Sequence, residues 1–154
     1  MIHITNGTVL SEGKEHKWDV LIHDGKIVYA GPDVAEVLGR MNAGEVSVID
    51  ASGKYVSPGF IDIHTHGGAG ADFMDGSMEA YRTALHLHTS HGTTLIYPTT
   101  LTGAKDSLLD SVKSYQEIKA SGISGAEMGG LHFEGPYFAY SKKGAQDSRY
   151  LRNP

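Results

Sequence analysis

The run Pro58-Gly-Phe-Ile-Asp-Ile-His64-Thr-His66-Gly-Gly constrains this chain more than any other stretch. It begins apolar and β-prone, and it ends in two histidines one residue apart. Successive side chains on a strand point to opposite faces, so positions i and i+2 share a face. His64 and His66 can therefore aim two imidazoles at one point, which is what a metal ion needs. Gly67 and Gly68 then let the backbone turn away. A strand that ends in converging ligands and opens into a glycine-rich loop has the form of the first strand of a βα barrel. In such barrels the chemistry sits at the C-terminal ends of the strands. The chain carries nine histidines, so His-x-His is only a modest signal by its spacing alone. Its position between Pro-Gly and Gly-Gly strengthens it.

Residues 1–54 read as a small antiparallel β module. Asn6-Gly7 and Asp24-Gly25 are turn dipeptides between strand-like runs. Trp18–His23 and Lys26–Ala30 flank the second of these, Val34–Leu38 suits a short helical turn, and Val46–Ile49 is a further strand. His3, His16 and His23 lie in this module and read as ordinary polar positions.

From Tyr55 the pattern changes to strand, loop, helix, repeated. Gly67–Gly76 reads as a small flexible loop, and it lacks the Gly-Lys-Ser/Thr ending of a phosphate-binding loop. Ser77 can cap a helix whose face carries Tyr81, Ala84, Leu85 and His88, with Gly92 as its stop. His86, His88 and His91 read as surface or packing histidines, because barrel helices lie away from the site. Thr93–Thr100 is the second strand, and Thr99 and Thr100 at its end either face a site or start the loop. A helix over Lys105–Ala120 carries the stripe Leu108, Leu109, Val112 and Tyr115. Glu127–Pro136 is the third strand. Glu134 sits at its C-terminal end, where a carboxylate can join the two histidines of the first strand around Zn²⁺ or Fe²⁺. His132 shares its face two residues back and reads as an orienting residue.

The fold class is thus α/β. It is an incomplete TIM-like (β/α) barrel, the first three βα units over residues 55–154, preceded by part of a small antiparallel β-sandwich over residues 1–54. A closed barrel takes roughly 250 residues, so a longer protein is expected, of which this is the N-terminal part. The hydrophobic share of 40% suits a globular chain, and a net charge of −5 without a basic cluster argues against nucleic-acid or membrane partners. The absence of cysteine and of a signal-like start suits a cytoplasmic protein.

Val-Ser-Pro-Gly-Phe-Ile-Asp-Ile-His64-Thr-His66-Gly resembles the amidohydrolase superfamily. Within it, Gly-Leu-His132-Phe-Glu134-Gly-Pro-Tyr, His91-Gly-Thr-Thr-Leu-Ile-Tyr-Pro-Thr and Lys142-Lys-Gly-Ala-Gln146 resemble the N-acetylglucosamine-6-phosphate deacetylase family. Many amidohydrolases bridge their metals with a carboxylated lysine on strand four, whereas the deacetylases use a strand-three glutamate, so Glu134 discriminates between them. The resemblance implies Glu134 as a metal ligand and His64 and His66 as the pair that holds a further metal, with one or two Zn or Fe ions per complete site. It also implies sugar-phosphate contacts at Ala145 and Gln146, although many relatives carry histidine where Gln146 stands. The implied reaction is deacetylation of N-acetylglucosamine 6-phosphate, with an aspartate beyond Pro154 as general base and no catalytic residue within this chain. A homodimer is the family expectation, and these residues alone are expected to be inactive. The rival readings are another metal amidohydrolase (a cyclic amidase or a deaminase) and a non-catalytic binding fragment.

Overall fold

The computed structural model describes residues 1–41 and 44–154. The chain divides into two compact units, Met1–Pro58 and Gly59–Pro154.

The first unit holds two sheets. One has the order β5-β4-β1-β6, formed by β1 (Ile2–Thr5), β4 (Asp19–His23), β5 (Lys26–Gly31) and β6 (Ser47–Asp50). The other has the order β3-β2-β7, formed by β2 (Thr8–Ser11), β3 (Lys14–His16) and β7 (Tyr55–Val56). A short helix, α1 (Val34–Arg40), lies between β5 and β6 in sequence. The expectation of an antiparallel module needs correcting. β1 pairs parallel with β6, and β2 pairs parallel with β7, so both sheets are mixed. The second of these pairings also sets the boundary. Tyr55 and Val56 lie opposite Thr8 and Val9, within the compact unit that ends at Pro58.

Asp24-Gly25 makes the expected two-residue hairpin, both residues at positive φ. Asn6-Gly7 instead carries the chain from β1 in one sheet to β2 in the other. A second tight hairpin, at Glu12-Gly13, joins β2 and β3. The histidines of this unit make local contacts. His3 meets the Asp19 carboxylate at 3.0 Å, and His16 stacks on Trp18 with ring centroids 3.8 Å apart.

The second unit follows the strand-and-helix alternation read from the sequence. β8 (Phe60–Thr65), α2 (Met78–Ser90), β11 (Thr93–Thr100), α3 (Lys105–Ala120) and a divided third strand succeed one another. β8 and the third strand flank β11, all in parallel. Each helix serves as a crossover between parallel neighbours, as such pairs require. The third strand consists of β12 (Glu127–Met128) and β13 (His132–Phe133), separated where Gly129 lies against the Tyr97 ring. A Cβ on Gly129 would stand 2.7 Å from that ring, so a side chain has no room there, while the Gly129 N–H still donates to the Ile96 carbonyl at 3.0 Å. After β13 the described residues contain two 3₁₀ turns, Tyr140–Lys142 and Ser148–Tyr150, rather than a third helix. The glycine-rich stretch after β8 is a small hairpin, β9 (Gly67–Gly68) with β10 (Ala71–Asp72), followed by a 3₁₀ turn capped by Asp72.

The core of this unit comprises Phe73, Tyr81, Ala84, Leu85, Ile96, Tyr115, Ile118, Ala126 and Met128. The face of α2 matches the expected stripe, and Ser77 caps that helix by accepting the Ala80 N–H at 3.1 Å. The face of α3 is rotated from the expectation. Ser111, Tyr115 and Ile118 are buried, whereas Leu109 is exposed. Tyr115 fixes this rotation by donating its hydroxyl to the Met128 carbonyl at 3.1 Å. Among the described residues no helix is long and apolar enough to cross a membrane.

Two outcomes follow for stability. Ile96→Ala is expected to lower the unfolding free energy by about 2–5 kcal/mol, read by urea denaturation. The Tyr81 hydroxyl is buried and finds no partner among the described residues. Burial, with smaller contributions from Tyr115 and Asp72, pushes its pKa up from 10.0 to about 12. The unfolded chain releases this proton first, so stability is intact below pH 10 and falls as pH rises toward 12. Tyr81→Phe should abolish that loss and raise stability at neutral pH by about 1 kcal/mol.

Candidate metal centre

The first component is β8. Asp62 accepts the His64 N–H with its side chain at 3.1 Å, a local bond that fixes the backbone just before the histidine pair. β8 ends at Thr65, and His66 follows it directly. The Thr65 N–H donates to the Thr99 hydroxyl at 3.0 Å. The His66 carbonyl accepts from the Phe73 N–H at 2.8 Å, so the chain leaves the site at a set angle.

The second component is the end of β13. The Glu134 N–H donates to the Thr100 carbonyl at 3.1 Å. The Glu134 carbonyl accepts the Thr102 hydroxyl, also at 3.1 Å. Both backbone groups of Glu134 are thus tied to the segment that ends β11.

These ties bring three side chains together. Glu134 Oε2 lies 3.2 Å from His64 Nε2 and 2.9 Å from His66 Nε2. One ligand atom from each of the three residues falls within 4.8 Å of the others, and among the described residues this is the one such group. For comparison, tetrahedral ligands about 2.0–2.1 Å from zinc lie roughly 3.3 Å apart. The group is open to solvent on one side, with side chains of His64 and Glu134 45% and 25% exposed.

Proton placement tests whether a cation fits. A carbonyl only accepts, so the 3.2 Å contact between His66 Nδ1 and the Thr99 carbonyl puts the His66 proton on Nδ1. In the neutral ring Nε2 then presents a lone pair to a carboxylate oxygen 2.9 Å away. Two acceptors at that separation repel unless positive charge, from a proton or from a metal cation, stands between them. A divalent cation supplies that charge, and a backbone carbonyl on the remote imidazole nitrogen is the usual way such a ligand is oriented. The donor set of two imidazoles and one carboxylate suits zinc or iron.

His132 lies beside His64. Its Nδ1–H donates to the Ile63 carbonyl at 3.0 Å, and its ring meets that of His64 edge-on at 4.6 Å. Gln146 is buried, and its Oε1 accepts the Thr102 N–H at 2.8 Å. Ala145 beside it is exposed. The sequence leaves Thr99 open between facing a site and starting the loop, and it gives no sign of Thr102. Their roles depend on carbonyl and hydroxyl positions that no local motif encodes.

The relatives that match most of this chain's length are sugar-phosphate deacetylases. More particularly, the chain is similar to the N-terminal region of N-acetylglucosamine-6-phosphate deacetylases, the family its motifs resemble. It is 35% identical to the Lysinibacillus sphaericus N-acetylglucosamine-6-phosphate deacetylase, over 98% of this chain and 38% of that protein. It is 33% identical to the Escherichia coli O157:H7 N-acetylgalactosamine-6-phosphate deacetylase, over 70% of this chain and 28% of that protein. Among solved structures, the Pasteurella multocida N-acetylglucosamine-6-phosphate deacetylase superposes with a TM-score of 0.80 at 26% identity, covering 98% and 38% of the two chains. A Mycobacterium smegmatis deacetylase variant in complex with N-acetyl-D-glucosamine-6-phosphate gives 0.77 at 26% identity, over 99% and 37%. A D-hydantoinase from Bacillus sp. AR9 gives 0.56 at 28% identity, over 92% and 28%. The chain therefore spans about two fifths of the length of its deacetylase relatives. No protein-family model matches it.

Glu134→Gln keeps the shape of the side chain and removes its charge. Its expected effect is a loss of divalent-metal affinity of at least about tenfold, measured by competition with a chromogenic chelator. Because protons compete with a metal ion for ligand nitrogens, affinity should also fall as pH is lowered.

Proposed function

We propose that this chain is the N-terminal part of a metal-dependent deacetylase that converts N-acetylglucosamine 6-phosphate to glucosamine 6-phosphate and acetate. The observation that carries the reading is the meeting of Glu134 Oε2 with His64 Nε2 and His66 Nε2, at 3.2 and 2.9 Å. A carboxylate from the third parallel strand, rather than a lysine, completes the group, in keeping with the deacetylase names of the most similar relatives.

In this reading His64, His66 and Glu134 hold zinc or iron. A bound divalent cation polarises an amide carbonyl and lowers the pKa of water toward neutrality. The Thr99 carbonyl keeps the His66 proton on Nδ1. His132 keeps the His64 ring from turning by bracing its edge. Gln146 shapes the loop after β13 through Thr102, which leaves exposed Ala145 as the position that meets the sugar phosphate. The parallel strands β8, β11 and β13 form the opening of a (β/α) barrel, with residues 1–54 contributing to a β-sandwich domain. The general base comes from elsewhere in the complete enzyme, and a phosphorylated sugar substrate suits a cytoplasmic setting.

A second reading has specific support. N-acetylgalactosamine 6-phosphate differs from the glucosamine compound only in configuration at C4, and a similar relative bears that name. Cyclic-amide hydrolysis has the weaker support of the hydantoinase likeness.

The test is acetate release from both sugar phosphates by the complete enzyme that carries this sequence. Turnover should be lost on chelation, restored by Zn²⁺ or Fe²⁺, and lowered at least about a hundredfold by Glu134→Gln. The 154-residue chain alone should show none. Hydrolysis of a cyclic amide without sugar deacetylation would overturn the assignment.

A further inference from the structure

His88 stands apart from the neighbouring histidines on α2 and at its C-cap. His86 and His91 are exposed, whereas the His88 side chain is only 18% exposed and points toward the end of β8. Its Nε2 lies 3.0 Å from the Gly67 carbonyl and 3.4 Å from the Thr65 hydroxyl. A carbonyl only accepts, so Nε2 carries the proton and donates to Gly67. The Thr65 hydroxyl donates to the same carbonyl at 3.3 Å, so both of its lone pairs are engaged. On the other side of the ring, Nδ1 stands 4.0 Å from Asp62 Oδ2. That carboxylate uses its other oxygen to accept the His64 N–H.

One imidazole on a helix therefore holds the carbonyl of the residue directly after His66, which it shares with the Thr65 hydroxyl. Its other nitrogen stands near Asp62 without a hydrogen bond to it. We propose that His88 is a positioning residue for the histidine pair, setting the backbone from which His64 and His66 reach a metal ion; the inference rests on the metal-centre reading above.

The tolerances make this role consequential. Metal–ligand distances are held to about ±0.2 Å in a working site. A segment that ends a strand and enters a glycine pair has little intrinsic stiffness, so its position must come from outside. The neighbouring glycine shows how closely α2 approaches. A Cβ on Gly68 would lie 2.7 Å from Leu87 Cδ2 and 3.3 Å from His88 Nε2. Glycine at position 68 is what lets His88 reach the carbonyl of the preceding residue.

The test uses Co²⁺ as a probe, through its visible absorption, and Zn²⁺ in competition with a chelator, on the complete protein. Unfolding of the metal-free form is measured in parallel. His88→Ala should lower metal affinity by about ten- to a hundredfold while the metal-free unfolding midpoint moves little. His88→Gln should restore affinity to within about threefold, because its amide N–H reaches the place of Nε2. His88→Asn, whose amide reaches only the place of Nδ1, should not. Gly68→Ala, whose Cβ would stand 3.3 Å from His88 Nε2, should lower affinity by less than His88→Ala, because the ring need give only a few tenths of an ångström. If His88→Ala binds metal as tightly as wild type, or His88→Gln binds as poorly as His88→Ala, the positioning role is overturned. A His88→Ala protein that does not fold leaves the glutamine, asparagine and Gly68 comparison to decide. A wild-type protein that binds neither metal overturns the metal-centre reading itself, and this role with it.

Discussion

Thr99 and Thr100 close β11, and their backbone carbonyls are engaged from opposite sides. The Thr99 carbonyl accepts from the His66 imidazole at 3.2 Å, and the Thr100 carbonyl accepts from the Glu134 N–H at 3.1 Å. Parallel pairing makes this possible, because it brings the C-terminal ends of neighbouring strands to the same edge. Register is the stringent part. A slip of one residue moves a strand by about 3.3 Å and turns every side chain to the other face. Such a slip on either side of β11 would separate Glu134 from the histidine pair.

The contacts among the three side chains do not hold this arrangement. Half-open contacts between a carboxylate and imidazoles contribute little to stability. The rigidity comes from beneath. Ile96, Thr99 and Thr100 are almost fully buried, and the core formed with α2 and α3 lies against them. Thr99 alone anchors two groups, the Thr65 N–H through its hydroxyl and the His66 ring through its carbonyl. A polar, half-open group of titratable side chains is thus set on a close-packed apolar base, so a ligand finds the donors already in place.

Much of the second unit was legible in the sequence because its signals are local. The β-branched run Thr93–Thr100 became β11 with the same boundaries, and Lys105–Ala120 became α3 with the same boundaries. The cap at Ser77 and the hairpin at Asp24-Gly25 are likewise written in a few adjacent residues. The burial face of α3 was not legible. Leu108, Leu109 and Val112 are more apolar than Ser111, but the bond from Tyr115 to the Met128 carbonyl turns the helix the other way. Pairing in the first unit was hidden for a related reason. A parallel partner lies tens of residues away, and nothing in Tyr55-Val56 names Thr8-Val9 as its neighbour.

The candidate site divides along the same line. Side-chain types and their spacing, His64-x-His66 and Glu134 at a strand end, determined which chemistry the chain can present, because alternation along a strand is a covalent property of the backbone. Tertiary structure alone decided that these groups meet, which ring nitrogen of His66 faces the carboxylate, and that His88 reaches back to Gly67. Those outcomes depend on distances between segments far apart in the chain, and such distances are set by the packing of helices on a parallel sheet.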